Sequence, residues 1–257
     1  MSKFIIIFLC ISGISINIFA GEEDSAKDRV YSAIGLGVVY SSSPYIGDDS
    51  RILPIPVITY LSEKYYFYGL EGGYALAGDR EKGIGFYATL SGRMEYYSED
   101  DSYIFDGMED TNFSVDGGLK LKVTKEEYGF ETGAKYDILG NSDGYEIFGK
   151  VSRTFSGVFE CKNLDISVSA GLSWRSDKLN DYYYGVEEKY ETIIRSAYSA
   201  DGGLDSNLGL RMTYKIDEKW SVFNTIKAEF LSSEITDSPL VDKDIIYSVM
   251  LGVAYKL

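Results

Sequence analysis

Histidine is absent from all 257 residues. That removes Ser-His-Asp and Cys-His nucleophile pairs and the usual zinc ligand sets. Cysteine is scarce: Cys10 and Cys161 are the two in the chain. Cys10 lies in an apolar N-terminal stretch. Cys161 alone cannot form an internal disulfide, so this is no cysteine-stapled scaffold, and Cys161 reads as a small packing residue near a turn. No P-loop or dinucleotide fingerprint occurs. Past residue 20 there is no apolar run long enough for a transmembrane helix. Basic residues are outnumbered, 25 against 40 acidic, for a net charge of −15 at pH 7. That balance argues against nucleic acid as a partner, which needs a basic footprint, and against docking on anionic lipid surfaces. The acidic run Glu99, Asp100, Asp101 matches no calcium loop and reads as solvated. No metal and no cofactor is expected.

The N-terminus sets the compartment. Lys3 is followed by an apolar stretch from Phe4 to Ile11, and Ile18, Phe19 and Ala20 offer a cleavage site before Gly21. Residues 1–20 therefore read as a secretory signal peptide: the apolar core is too short to anchor in a bilayer. Residues 21–29 are a polar, flexible lead-in. Residues 30–257 form the remaining unit.

That unit is dominated by alternation. From Leu204 to Ile216 apolar residues hold one parity (Leu208, Leu210, Met212, Tyr214) against Asp205, Asn207, Arg211 and Lys215. After Asp217, Glu218 and Lys219 the pattern resumes in Trp220, Val222, Ile226, Ala228 and Phe230. A period of two means β-strand. Arms of about ten residues suffice to cross a bilayer at a tilt. Either the apolar face is the core of a soluble sandwich, or it meets lipid while the charged face lines a lumen. The 27 glycines, 23 tyrosines and 13 phenylalanines suit a membrane barrel with aromatic girdles.

Eleven strands are evident, over 30–40, 51–61, 64–77, 83–97, 113–123, 128–138, 145–155, 164–174, 204–216, 220–230 and 244–257. Pro54 and Pro56 make the second irregular or edge-like, because proline cannot donate to a ladder. Bacterial barrels use an even number of strands, with short and long connections alternating. Keeping that alternation requires one more strand before residue 95. The stretch 64–77, broken by Gly69, Gly72 and Gly73, is the place for it. The expectation is an all-β, closed antiparallel transmembrane barrel of about twelve strands, with ten as the alternative.

Parity selects the lumen. Asp116, Lys120, Lys122, Glu131, Lys135, Asp137, Asp165, Arg211, Lys215, Lys227 and Glu229 share the polar face. Opposite charges there can pair across strands. Paired carboxylates of a hydrolase are conceivable in so acidic a chain, but charge pairing accounts for these residues, and no catalytic residue is assigned. Tyr182, Tyr183 and Tyr184, in the long polar segment 175–203, read as exposed aromatics able to make a loop contact.

The last strand keeps one parity to its end (Ile245, Tyr247, Val249, Leu251, Val253, Tyr255, Leu257). With Gly252, Tyr255 and Leu257 it resembles the terminal strand that the barrel-assembly machinery reads in outer-membrane proteins, with leucine where phenylalanine is typical. Several stretches together resemble the MipA/OmpV family of outer-membrane proteins. They are Pro44, Tyr45, Ile46 and Gly47; Arg93 with the acidic run and Gly107, Met108; Tyr182 to Val186; Ser238 to Val241; and the closing strand. The resemblance implies a barrel in the outer membrane of a Gram-negative bacterium, surrounded by lipid and lipopolysaccharide. It further implies a non-enzymatic scaffold joining a lytic transglycosylase to a peptidoglycan synthase. A small-solute channel, since about twelve strands lie between filled barrels and open porins, and a surface adhesin or antigen are the alternatives.

Overall fold

Alternating side chains can bury a polar face and leave an apolar one outside only if the sheet closes on itself. The structure, a computed structural model describing residues 30–257 apart from 49, 80 and 81, does this with twelve strands. They are β1 (Tyr31–Ser41), β2 (Arg51–Leu61), β3 (Tyr65–Tyr68), β4 (Glu71–Asp79), β5 (Ile84–Arg93), β6 (Ser114–Lys125), β7 (Tyr128–Asp137), β8 (Tyr145–Ser156), β9 (Leu164–Arg175), β10 (Gly203–Lys215), β11 (Trp220–Phe230) and β12 (Ile245–Lys256). Each pairs antiparallel with its sequence neighbours, and β12 closes on β1 with Gly37 opposite Gly252. The expected signal peptide, 1–20, and lead-in, 21–29, lie outside the described residues.

The outward parity is apolar. On β1 it carries Ile34, Leu36, Val38 and Tyr40, and on β10 Leu204, Leu208 and Tyr214, all exposed. An apolar exterior on a closed sheet is the arrangement lipid selects. A one-residue slip would turn all these side chains inward, so this face also fixes register. Local chemistry helps. At the β10–β11 turn, Asp217 Oδ1 accepts the N–H groups of Lys219 and Trp220, each at 2.8 Å. The two donated bonds hold the Asp217 carboxyl below its ordinary range.

The twelfth strand lies where the glycines break 64–77. The chain reverses at residues 69–70, where Gly69 takes a positive φ of 56°, so β3 and β4 form a low hairpin. Three expectations need adjustment. β2 is regular, paired with β1 along its whole length, and its edge-like character is confined to its other side. The fourth expected strand ends at Arg93, not Tyr97, because Met94 and Tyr97 leave the sheet and are buried. The segment 175–203 is not featureless. It holds α1 (Asp177–Tyr184), begun by Ser176, whose Oγ accepts Leu179 N–H, as an N-cap does.

The connections are asymmetric. Those after β2, β4, β6, β8 and β10 are short and lie at the end of the barrel that holds the C-terminus. Those after β1, β5, β9 and β11 are long and lie at the other end. The last of them carries a single helical turn, α2 (Ser233–Thr236).

Gly252 has a packing reason. A Cβ on it would come 2.4 Å from the Phe223 ring, which fills the lumen beside Met250, Val39 and Val57. Gly252→Val is expected to cost about 1–3 kcal/mol by overpacking, read as a lower urea midpoint. In a Phe223→Ala background the same Gly252→Val change should cost little. If it costs as much there as in the parent protein, the ring contact is not the reason for glycine. Tyr255 packs against Trp220 at 4.9 Å between ring centroids, and Leu257 ends the chain exposed, its N–H donating to the Ser32 carbonyl at 3.0 Å.

Candidate functional site: a capped and charged lumen

The four long connections converge over the barrel mouth into one apolar cluster. It contains Tyr45 after β1, Tyr97, Ile104, Phe105 and Met108 after β5, Leu179, Tyr183 and Tyr184 after β9, and Ile235, Leu240 and Val241 after β11. Tyr97 stacks on Phe105 with centroids 4.1 Å apart, and Tyr45 meets both edge-on. Such ring pairs add about 0.5–1.5 kcal/mol each beyond their buried area. Polar links join the loops. Tyr45 Oη donates to the Tyr183 carbonyl at 3.1 Å, and Ser238 Oγ to that of Tyr184 at 2.6 Å. The buried Arg195 guanidinium donates to the carbonyls of Ile104, Asp106 and Tyr190.

This corrects the expectation for the tyrosine run. Tyr183 and Tyr184 are buried and Tyr182 is half-buried. Tyr183 and Tyr184 face the cluster and are withdrawn from the surface, while Tyr182 keeps part of its ring exposed and its Oη accepts the Asn112 N–H at 2.9 Å. Burial also pushes the Tyr183 and Tyr184 hydroxyls up, keeping them neutral.

Below the cap lies an ion-pair belt. Arg93, almost fully buried, bonds Asp116 at 2.7 Å and Glu146 at 3.0 Å. Arg175 grips Glu95 with both terminal nitrogens, at 2.9 and 2.5 Å, while its Nε donates to Asn180 Oδ1 at 2.9 Å. Lys135 reaches Glu146 at 3.0 Å, and Ser173 Oγ donates to the same carboxylate at 2.6 Å. A fork-to-fork pair of this kind gives geometry as well as energy. Burial alone would raise the Glu95 carboxyl, but Arg175 and Arg93 outweigh it and hold it at about 2. A depressed folded value means the stabilisation is complete above the ordinary carboxylate range and is lost as pH falls toward about 2. The urea midpoint is therefore expected to drop between about pH 4.5 and 2, and Glu95→Gln should flatten that drop. Identical slopes in both proteins would contradict it.

The eleven residues singled out by parity lie on the inward faces of their strands, in different settings. Lys122 and Lys150 flank Glu131 at 3.5 and 3.1 Å, and Lys120 bonds Glu71. Lys215 meets Asp165 at 3.6 Å, and Lys227 meets Glu229 at 2.7 Å on its own strand. Asp137 forms no ion pair among the described residues. It accepts from Ser114, Ser142 and Leu139 and pins the connection after β7. Arg211 rests 4.7 Å from the Phe223 ring centroid and donates to Thr213 and Thr225. Parity reasoning passed over Glu95, Glu146, Lys150 and Arg175. Glu146, Lys150 and Arg175 continue the inward parity of β8 and β9 and were findable by extending it. Glu95 follows the end of β5 and had no such signal.

Between belt and cap remains a cavity of about 80 Å³, lined by Ser41, Tyr45, Glu95, Arg175, Tyr184 and Lys227 among others. Among the described residues no cluster of acidic, cysteine or histidine side chains fits a metal.

A family model described as MltA-interacting protein MipA matches residues 34–257. The MltA-interacting protein of Escherichia coli K12 is 30% identical over 233 residues, covering 87% of this chain and 89% of that protein. The outer membrane protein OmpV of Vibrio cholerae is 32% identical over 172 residues, 67% of this chain and 65% of that one. Omp26La of Vibrio anguillarum is 31% identical over 172 residues, again spanning 65% of the relative's length. Among solved structures, an outer membrane channel from Pseudomonas putida F1 covers 88% of this chain and 96% of its own at 10% identity, with a TM-score of 0.49. That likeness is too loose to bear on function.

Proposed function

The chain belongs to the MltA-interacting protein MipA family of outer-membrane barrels, and on that premise we propose that it is a non-enzymatic scaffold for peptidoglycan-remodelling enzymes. The observation that supports a scaffold over a channel is the closure of the mouth. An aromatic cluster from four loops packs over the loop end, and paired charged side chains project into the belt beneath it. A protein built to pass solute would keep water in that space. The name of the Escherichia coli relative supplies the partner class, a lytic transglycosylase. A peptidoglycan synthase is its natural second partner in such an assembly. Such partners would meet the periplasmic end, where the connections are short and the barrel presents a compact rim.

Planar-bilayer recording of the refolded, signal-free protein tests this first. The expected result is an electrically silent, heat-modifiable barrel that retains a periplasmic lytic transglycosylase on an affinity column. Defined conductance steps would overturn the scaffold reading in favour of a small-solute channel. A silent barrel that retains no murein enzyme would overturn it in favour of a surface role for the loops.

A further inference from the structure

The two edges of β2 are used very differently. One pairs with β1 from Arg51 to Leu61. The other pairs with β3 only at Thr59, Tyr60 and Leu61, because β3 is four residues long and the chain turns back at 69–70. The last bond on this side runs from Gly69 N–H to the Ile58 carbonyl, 3.1 Å. Backbone groups of a strand alternate between its two edges. With Ile58 directed at β3, residues 56, 54 and 52 face the same way. Two of them are Pro56 and Pro54, which carry no N–H. Above Ile58 this edge therefore offers three carbonyls and a single donor, that of Ile52.

The result is a notch in the barrel wall. Its floor is the β3–β4 turn, joined to β5 by Gly92 N–H to the Leu70 carbonyl at 3.0 Å. Its long side is β2 from residue 51 to 57, about 20 Å at the usual strand rise. Its surroundings are apolar: Ile52 is exposed on β2, Leu90 and Phe113 are exposed across the gap, and Leu70 is half-buried on the floor. The notch lies toward the loop end of the wall, where Arg51 at the top of β2 bonds Asp101 of the connection after β5 at 2.8 Å, so in an outer-membrane protein it faces the outer leaflet. Hydrocarbon alone is a poor fit, since each backbone carbonyl left without a donor in lipid costs several kcal/mol. The occupant must be apolar along its length and carry hydrogen-bond donors near its top.

We infer that this notch seats an acyl chain of an outer-leaflet lipid that bears hydroxyl or amide donors close to its headgroup. The paired prolines fit that role. They remove two donors that an acyl chain could not satisfy, and the carbonyl of Ile52, nearest the top, is the one a headgroup donor reaches.

The test uses the signal-free full-length protein in nanodiscs of phosphatidylcholine, with and without a minor fraction of lipopolysaccharide. On a Cys161→Ser background, Ile52→Cys at the notch and Leu172→Cys and Leu208→Cys on the far wall carry a benzophenone label. Lipid adducts are counted by mass spectrometry after illumination. Lipopolysaccharide adducts at position 52 are expected to exceed those on the far wall by about fivefold, the ratio that one net hydrogen bond provides. Phosphatidylcholine, which lacks such donors, should show no preference. Leu70→Trp, which fills the floor, should bring position 52 down to the far-wall yield. Equal lipopolysaccharide yields at all positions would show an ordinary lipid annulus and overturn the inference. A phosphatidylcholine preference at position 52 would overturn the donor requirement. Heat-modifiability on gels confirms that each variant is folded.

Discussion

Arg175→Ala is expected to lower the stability of the folded barrel by about 3–5 kcal/mol, the cost of stripping one partner from a buried ion pair. Arg175 is nearly fully buried and holds Glu95 with two bonds, Asn180 with a third, and lies 3.9 Å from Asp205. Alanine would strip this cation from the Glu95 and Asp205 carboxylates, leaving Arg93 at 3.7 Å as the cation near Glu95. Urea unfolding in detergent reads the loss directly. Arg175→Lys should recover only part of it, because an ammonium cannot match the fork geometry of Glu95. A double variant, Arg175→Ala with Glu95→Gln, should be more stable than Arg175→Ala alone, since it removes the stranded charge. As a reference, Arg153→Ala breaks an exposed pair with Glu127 at 3.2 Å and should cost less than about 1 kcal/mol. Equal effects at Arg175 and Arg153 would mean that the belt is solvated and contributes nothing special.

Phe105→Ala is the second large expectation, and it is local. Phe105 is fully buried, stacked on Tyr97 and touched edge-on by Tyr45. Truncating a buried phenylalanine costs about 3–5 kcal/mol. The cap rests on loops rather than on the strand ladders, so the loss should open the cap without melting the barrel. Proteolysis of the connection after β5 should then speed up by about two to three and a half powers of ten, since 1.4 kcal/mol is a factor of ten and cleavage tracks the open population. The gel shift of the heated barrel should stay unchanged. Loss of that shift would show that cap and barrel unfold as one unit, and unchanged proteolysis would show that Phe105 does not hold the cap.

The charged belt shows how far parity reasoning carries. Lys122 and Glu131 lie on the polar face of adjacent strands, and the structure pairs them across the ladder with Lys150 on the next strand. Asp137 has the same parity but a different task, because β7 ends there and the N–H groups of Leu139 and Ser142 in the following connection donate to its carboxylate. Position along the strand, not parity, decided that. The tyrosine run at 182–184 misled for a related reason. Its setting is polar in sequence, yet α1 turns Tyr183 onto a surface built by three other connections.

The sequence by itself determined the barrel. Alternation with a period of two is written residue by residue; it places the strands to within a few residues and separates a polar from an apolar face, and the alternation of short and long connections asks for one more strand before residue 95, with 64–77 as its candidate place. Only the tertiary structure decided what closes the lumen. The cap joins residues as far apart as Tyr45 and Tyr183, 138 positions, and the belt joins Glu95 to Arg175 across 80. Loop packing follows no period, so no window of the chain announces it. The same holds for the notch beside β2: its prolines are visible in the sequence, but the missing neighbour is a property of the register between β2 and β3.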